Sequence, residues 1–406
     1  MEFTDEWSEH KFENIFDIKN GLNKGKDYFG EGIRILNYMD VNKYELNTEN
    51  TIKGLVELTD DEIERYSVKP NDLFFTRTSE TSEEIGLTSA YMGNTIKCVF
   101  SGFLLRARPK IDLNSLFFAY YLRSPRQRNN IIKFSSITTR ALISGGNLSK
   151  MKIKYPSIEE QNKIANLFLI LDKKVELLEK KYREYQCFKK YLMQKLFAQE
   201  LRFTDYIEEW KTIKLKDVGE INTGNTPSTK VNEYYSPKKY LWVTPSDISS
   251  KYIFDTAKRL SDEGAKKGRF VKKNSVLVTC IASIGKNCII LEDGYFNQQI
   301  NSITPSQSFD LDFIYYLIDY NSEKMKNYAG ITATPILNKK SFENMKFEFP
   351  SFDEQKQISN MLSNIDNKIF AIEELINKTQ KFKKGLLQQM FVVQLILSLL
   401  QNKKHI

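Results

Sequence analysis

Histidine is nearly missing from this chain: His10 and His405 are the two in 406 residues. A histidine-built metal centre is therefore not expected, and His10 has no evident partner in sequence for nucleophilic catalysis. Cysteine is also scarce. Cys98, Cys187, Cys280 and Cys288 form no CxxC pair and no disulfide framework, which fits a reducing, cytoplasmic compartment. Long apolar runs are lacking too. The one candidate, FVVQLILSLL at 391–400, is too short to span a bilayer and is expected to extend or cap a helix. The opening MEFTDEWSEHKF is acidic and polar, unlike a signal peptide, so no membrane association is expected.

Catalytic motifs are missing as well. There is no G-x-x-x-x-G-K-[ST] phosphate loop; Gly21 to Lys26 comes nearest, with the wrong spacing. No GxGxxG follows a strand, and no Asp/Asn-Pro-Pro-aromatic tetrapeptide of the kind amino-methyltransferases use occurs. GxSxG, HExxH and HxE…PCxxC are likewise absent. A chain of this length with none of these reads as a binding protein rather than an enzyme, with no cofactor or metal of its own.

What is present is basic and aromatic. A net charge of +9 and a pI near 9.0 lean mildly towards polyanions. Hydrophobic residues at 41% and aromatics at 13% suffice for packed cores, and the length suggests two or more domains.

One stretch is said twice. Residues 155–197 read YPSIEEQNKIANLFLILDKKVELLEKKYREYQCFKKYLMQKLF, and 349–391 read FPSFDEQKQISNMLSNIDNKIFAIEELINKTQKFKKGLLQQMF, without a gap. Pro156 meets Pro350, Gln161 meets Gln355, Asp172 meets Asp366, and Phe197 meets Phe391. Ile164, Phe168, Leu171, Val175 and Leu178 follow a 4-3 spacing, as do Ile358, Leu362, Ile365, Ile369 and Ile372. That is a heptad seam on a long helix, opened by a proline and acidic first-turn residues. An ordinary amphipathic helix packed on a domain would also fit one copy. Two copies in one register favour a mutual helix pair. Lys189 and Lys383 interrupt the two seams at the same heptad position.

The duplication reaches beyond the helices. Phe3-Thr4-Asp5 recurs as Phe203-Thr204-Asp205, KPNDLFFT (69–76) as KKNSVLVT (272–279), and NLSKMKIKYP (147–156) as SFENMKFEFP (341–350). IRILNYMDV, DLFFT and KCVFSGFLLRARP read as strands and SLFFAYYLRS as a helix; YLWVTPSDI, SVLVTCI, NSITP and DFIYYLIDY take the same roles later. The expected fold class is α+β: two similar mixed domains separated by two long helices that form an antiparallel coiled coil, pseudo-twofold symmetric. Expected boundaries are 1–154 and 201–348 for the domains, with helices at 155–200 and, with the tail, 349–406. The linker at 198–209 has no Gly/Ser-rich segment, so the second domain is expected to be held rigidly to the first helix.

The seam from Ile164 to Leu196 spans roughly 50 Å at about 1.5 Å per residue. That length is somewhat more than one turn of DNA, and inserted heptads near Val175 should lengthen the preferred gap of a two-part target. Full alignment of the two seams would place Lys189 near Asp366 and Lys383 near Asp172.

Polar loops after strands are the places for base-reading side chains. In the first half these are FTRTSETSEEIG with Arg77, Thr78 and Ser79, and SSITTRALISGG with Thr138, Thr139 and Arg140. In the second they are NTGNTPSTK with Thr226, Ser228 and Lys230; TCIASIGKN with Lys286; FNQQINS with Asn297, Gln298 and Gln299; and YAGITATP with Thr332 and Thr334. Each is equally well read as a solvated or side-chain-capped turn. RSPRQRNN (123–130) reads as phosphate-facing or merely wet, as do Lys24 and Lys26.

The PS[IF][ED]EQ…[IL]D[KN]K repeat, with variable domains that open on a Trp and close with NLSK or LNKK before the proline, resembles the specificity (S) subunit of type I restriction–modification systems. The resemblance covers nearly the whole chain. It implies two target recognition domains, each reading half of a split double-stranded DNA target, and a helical ruler that docks two modification (methyltransferase) subunits. Those would bring S-adenosylmethionine; restriction subunits using ATP and Mg would join them. It implies no catalytic site in this chain. The tail after Phe391 departs from the first copy. A stand-alone DNA methyltransferase or nuclease, or a coiled-coil scaffold without DNA function, are the other readings. The candidate loops differ between the halves, so the half-sites should differ.

Overall fold

The computed structural model describes residues 7–94, 97–137, 139–329 and 335–402. The chain divides into two compact units: Met1–Leu178 with Leu375–Ile406, and Glu179–Glu374.

The first unit is built on strand Asp72–Thr76, every residue of which is buried. Alternation sends Leu73 and Phe75 to one face and Phe74 to the other. Both faces are covered, which explains the unbroken DLFFT run. Across the sheet the order is Phe16–Asn20, Leu104–Pro109, Asp72–Thr76, Thr88–Tyr91, Leu46–Asn47. All pairings are antiparallel except the last. Phe74, Tyr91 and Leu104 pack towards a second sheet of Gly54–Val56, Phe29–Leu36 and Cys98–Phe100. Leu73, Phe75 and Leu105 pack towards helix Ser115–Leu122 and the start of the long helix.

The second unit repeats this topology. Its main sheet runs Gly219–Thr223, Ile300–Pro305, Ser275–Thr279, Asn287–Ile290, Tyr252–Ile253, again with only the last pairing parallel. Its second sheet matches as well and carries one added strand, Arg269–Val271. In each unit the opening strand pairs antiparallel with the one before the long helix: Ser8–Lys11 with Lys152–Tyr155, and Lys211–Lys214 with Lys346–Phe349.

Two predicted strands are broken. IRILNYMDV ends as a strand at Leu36, because Asn37 and Asp40 form a capping box that starts helix Tyr38–Lys43. KCVFSGFLLRARP splits into Cys98–Phe100 and Leu104–Pro109 around a tight turn.

The long helices are Ile158–Phe197, 40 residues, and Phe352–Asn402, 51 residues. Each starts two residues after its proline. The apolar run beyond Phe391 extends the second helix. In the first unit Phe168 stacks on Phe391, and Asp172 meets Lys383. In the second, Lys189 Nζ lies 2.6 Å from Asp366, and Leu196 shares a core with Ile358 and Leu362. One helix rises in number as the other falls, so within each unit they run antiparallel. The seams have two jobs. Ile164, Phe168 and Leu171 enter the first unit's core, and Ile358, Leu362 and Ile365 the second's. Ile372 is buried, while Val175, Leu178 and Ile369 are half-buried along the helices.

The same anchors recur. Gln161 Nε2 donates to the Pro156 carbonyl at 2.9 Å, and its Oε1 accepts from the Asn114 backbone N–H at 2.9 Å. Gln355 does likewise with Pro350 (3.0 Å) and Asp310 (3.0 Å). The Tyr120 hydroxyl donates to Asp172 at 2.6 Å, and Tyr316 to Asp366 at 2.6 Å. Burial, and then the aspartate, raise both phenol pKa values above the ordinary tyrosine range. The lysine pairs are thus half-buried and networked, unlike exposed ion pairs, which contribute about 0–1 kcal/mol. Arg202, in the 198–209 linker, pairs with the buried Glu354 at 2.8 Å, tying that segment to the base of the second helix.

Candidate nucleic-acid interface

In the first unit two of the predicted loops meet. Strand Thr78–Ser79 pairs with Ala141–Leu142, which pairs with Ser136–Ile137. The ladder continues on both sides of Arg77. Its N–H donates to the Phe103 carbonyl at 2.8 Å, and its carbonyl accepts from Ile143 N–H at 3.0 Å. Thr139 and Arg140 are exposed at the hairpin tip, Arg140 at the 4.0 Å limit of an ion pair with Glu80. Thr138 lies outside the described residues. The Arg77 side chain lines an open cleft of about 480 Å³ with Lys110, Ser144 and Gly145. Ser79 is turned inward: it is buried, accepts from Tyr38 at 3.3 Å and donates to Glu84 at 3.3 Å.

In the second unit three predicted loops meet at the equivalent place. Cys280 N–H donates to the Gln299 carbonyl at 2.7 Å, and its carbonyl accepts from Leu337 N–H at 2.9 Å. The backbone pattern around Arg77 is thereby repeated with other side chains. Thr226 donates to Gln298, and both are exposed. Asn297 is buried; its Oδ1 accepts from Gln299 N–H at 3.1 Å, so it shapes the turn. Ser228 and Lys230 are exposed on the turn before the short helix Asn232–Tyr234, and Lys286 is exposed where its N–H meets Thr279 Oγ1 at 3.1 Å. Thr332 and Thr334 lie outside the described residues, while Pro335–Leu337 takes the place that Ala141–Ile143 takes in the first unit.

A glycine fixes each turn. A Cβ on Gly21 would sit 2.1 Å from the Ser101 carbonyl oxygen, and one on Gly224 would sit 2.2 Å from that of Asn297. Only glycine allows this approach. The 297–299 turn is one of the loops predicted from the sequence, and its counterpart at 101–103 is not. FSGFLL (100–105) aligns with FNQQIN (296–301), but Ser101 is the one polar side chain in it.

The basic cluster at 123–130 departs from expectation. Arg123 Nε donates to the Thr88 carbonyl at 2.8 Å. Arg128 donates to the Gly86 carbonyl at 2.8 Å, and burial pushes its pKa down to about 10. Both guanidiniums hold loops; Arg126 stays exposed. Lys24 pairs with Glu62 at 2.6 Å.

No helix among the described residues is long and apolar enough to cross a membrane. A putative type I restriction enzyme MjaX specificity subunit of Methanocaldococcus jannaschii is 24% identical over 95% of this chain and 93% of that one. The MjaIX specificity subunit of the same organism is 30% identical over a shorter stretch, 40% of this chain and 39% of that one. Among solved structures, the S subunit of a type I restriction–modification system from M. genitalium superposes with a TM-score of 0.59 at 16% identity, covering 96% of this chain and 97% of that one. The HsdS subunit of Thermoanaerobacter tengcongensis gives 0.53 at 14% identity over 97% of each. The family described as the type I restriction modification DNA specificity domain matches residues 4–184 and again 207–381, and with its repeated topology the chain belongs to that family, one copy in each half.

Proposed function

We propose that this chain is the DNA-recognition subunit of a type I restriction–modification complex, each domain reading one half of a bipartite, asymmetric target. One observation carries the reading: a single backbone ladder occurs in both units, with Arg77, Thr78 and Arg140 on one and Thr226, Gln298 and Lys286 near the other. One scaffold with different polar tips reads two different sequences. The long helices set the spacing between half-sites and dock two modification subunits. Exposed apolar side chains on them, Leu177 at 67% and Phe382 at 58% among others, support a docking role. A chain of a solved structure described as the structural basis underlying complex assembly and conformational transition of the type I R-M system has the same fold, with a TM-score of 0.58 at 14% identity.

In this reading the chain has no catalytic site and binds no cofactor. The partners carry S-adenosylmethionine for adenine methylation, and restriction subunits carry ATP and Mg for cleavage. The complex acts in the cytoplasm. Methylome sequencing of cells with and without this chain, partner subunits present, tests it. The expected result is a two-part methylated motif that disappears with the chain. Methyl transfer by the purified chain alone would instead support a stand-alone enzyme.

A further inference from the structure

Phe103 is 61% exposed at the tip of a turn that leaves it little freedom to fold inward. Gly102 N–H donates to the Leu22 carbonyl at 2.6 Å, Leu104 N–H to Ser101 at 2.9 Å, and the Phe103 carbonyl accepts from Arg77. Gly21 closes the turn from below. These backbone bonds fix the direction in which the side chain leaves the turn, and the ring stands in water, whereas Phe100, three residues earlier, is fully buried.

Along the ladder Ile137 is 60% exposed and Leu142 38%, on opposite faces of the ribbon because Ile137 pairs with Ala141, and Arg140 stands at the hairpin tip. An exposed ring next to the Arg77 guanidinium, which donates to the Gly102 carbonyl at 3.4 Å, suits a duplex, whose base edges offer apolar groups between flanking phosphates. The second unit makes the comparison specific. There the residue whose carbonyl accepts the equivalent hydrogen bond is Gln299, its neighbour is Gln298, and Ile336 stands exposed where Leu142 does.

Resting on the DNA-recognition reading above, we propose that Phe103 is a specificity-determining residue: its ring contacts a base of the half-site read by the first unit, at the place where the second unit presents Gln298 and Gln299. The first half-site is thus read partly by apolar contact, the second by amides.

The test uses the full chain assembled with its modification subunits, once the methylated motif is known. Affinity is measured at one salt concentration for a target duplex and for one scrambled in both halves, with the wild type, Phe103→Ala and Phe103→Gln. Both variants are expected to bind the target about tenfold more weakly or worse, to bind the scrambled duplex as the wild type does, and to melt at the same temperature. Unchanged target affinity, or equal loss on both duplexes, overturns the proposal while leaving the DNA-recognition reading intact. A wild-type complex that does not prefer its target overturns that reading and the proposal with it.

Discussion

Lys189 Nζ stands 2.6 Å from Asp366, and the Tyr316 hydroxyl donates to the same carboxylate at 2.6 Å. The first long helix, the second and a domain helix thus meet at one half-buried aspartate. Removing one partner leaves the other charge partly desolvated. Lys189→Ala is expected to cost about 1–2 kcal/mol in urea unfolding, and adding Asp366→Asn should restore part of it. Strict additivity of the two would show that the pair is not coupled.

Gln355 satisfies the Pro350 carbonyl and the Asp310 N–H while buried. Gln355→Ala orphans both and should destabilise by about 1–3 kcal/mol. Gln355→Glu keeps the acceptor for Asp310 but sets a buried carboxylate oxygen against the Pro350 carbonyl, so at neutral pH it should melt no higher than the alanine variant.

Burial raises the Tyr316 pKa above its ordinary value of 10.0, and Asp366 raises it further. The fold holds the phenol neutral, so its stabilisation is complete below pH 10 and is lost as pH rises from there towards the raised value, because unfolded tyrosine ionises first. The urea midpoint of the wild type should fall from about pH 9 to about pH 11. Tyr316→Phe should flatten that fall; an equally steep fall would assign it to other groups, among them the similarly raised Tyr120 and Tyr252.

Lys286 and Arg140 are exposed cations on the two ladders. Replacing either with alanine should weaken binding similarly on target and unrelated duplexes, and lower the slope of log affinity against log salt by about 0.9 if it holds one phosphate. A loss confined to the target would make that residue a base reader instead.

One heptad inserted near Val175, with a matching heptad in the second helix, adds about 10.5 Å, or about three base pairs at about 3.4 Å each. The methylated motif should open its central gap by about that amount. An unchanged gap would remove the helices from the role of ruler.

The helices were the legible part of the sequence, because a 4-3 apolar spacing said twice in one register also fixes which charges meet: Lys189 with Asp366 and Lys383 with Asp172. The β topology was not legible. Strands of five residues buried on both faces, such as Asp72–Thr76, carry no alternation to show their neighbours. Polar loops were chosen by composition, and of the residues chosen Arg140 and Gln298 are exposed. Composition also chose Ser79 and Asn297, whose side chains shape turns, and passed over Phe103, because an exposed aromatic is unremarkable in sequence until its backbone is seen to be pinned.

Phe391 is buried in the first unit against Trp7, Phe117, Tyr121 and Phe168. During synthesis, the unit that leaves the ribosome first must therefore wait for Phe391 before its core can close, whereas the second unit is one uninterrupted length, residues 179–374. The half made first is the half finished last.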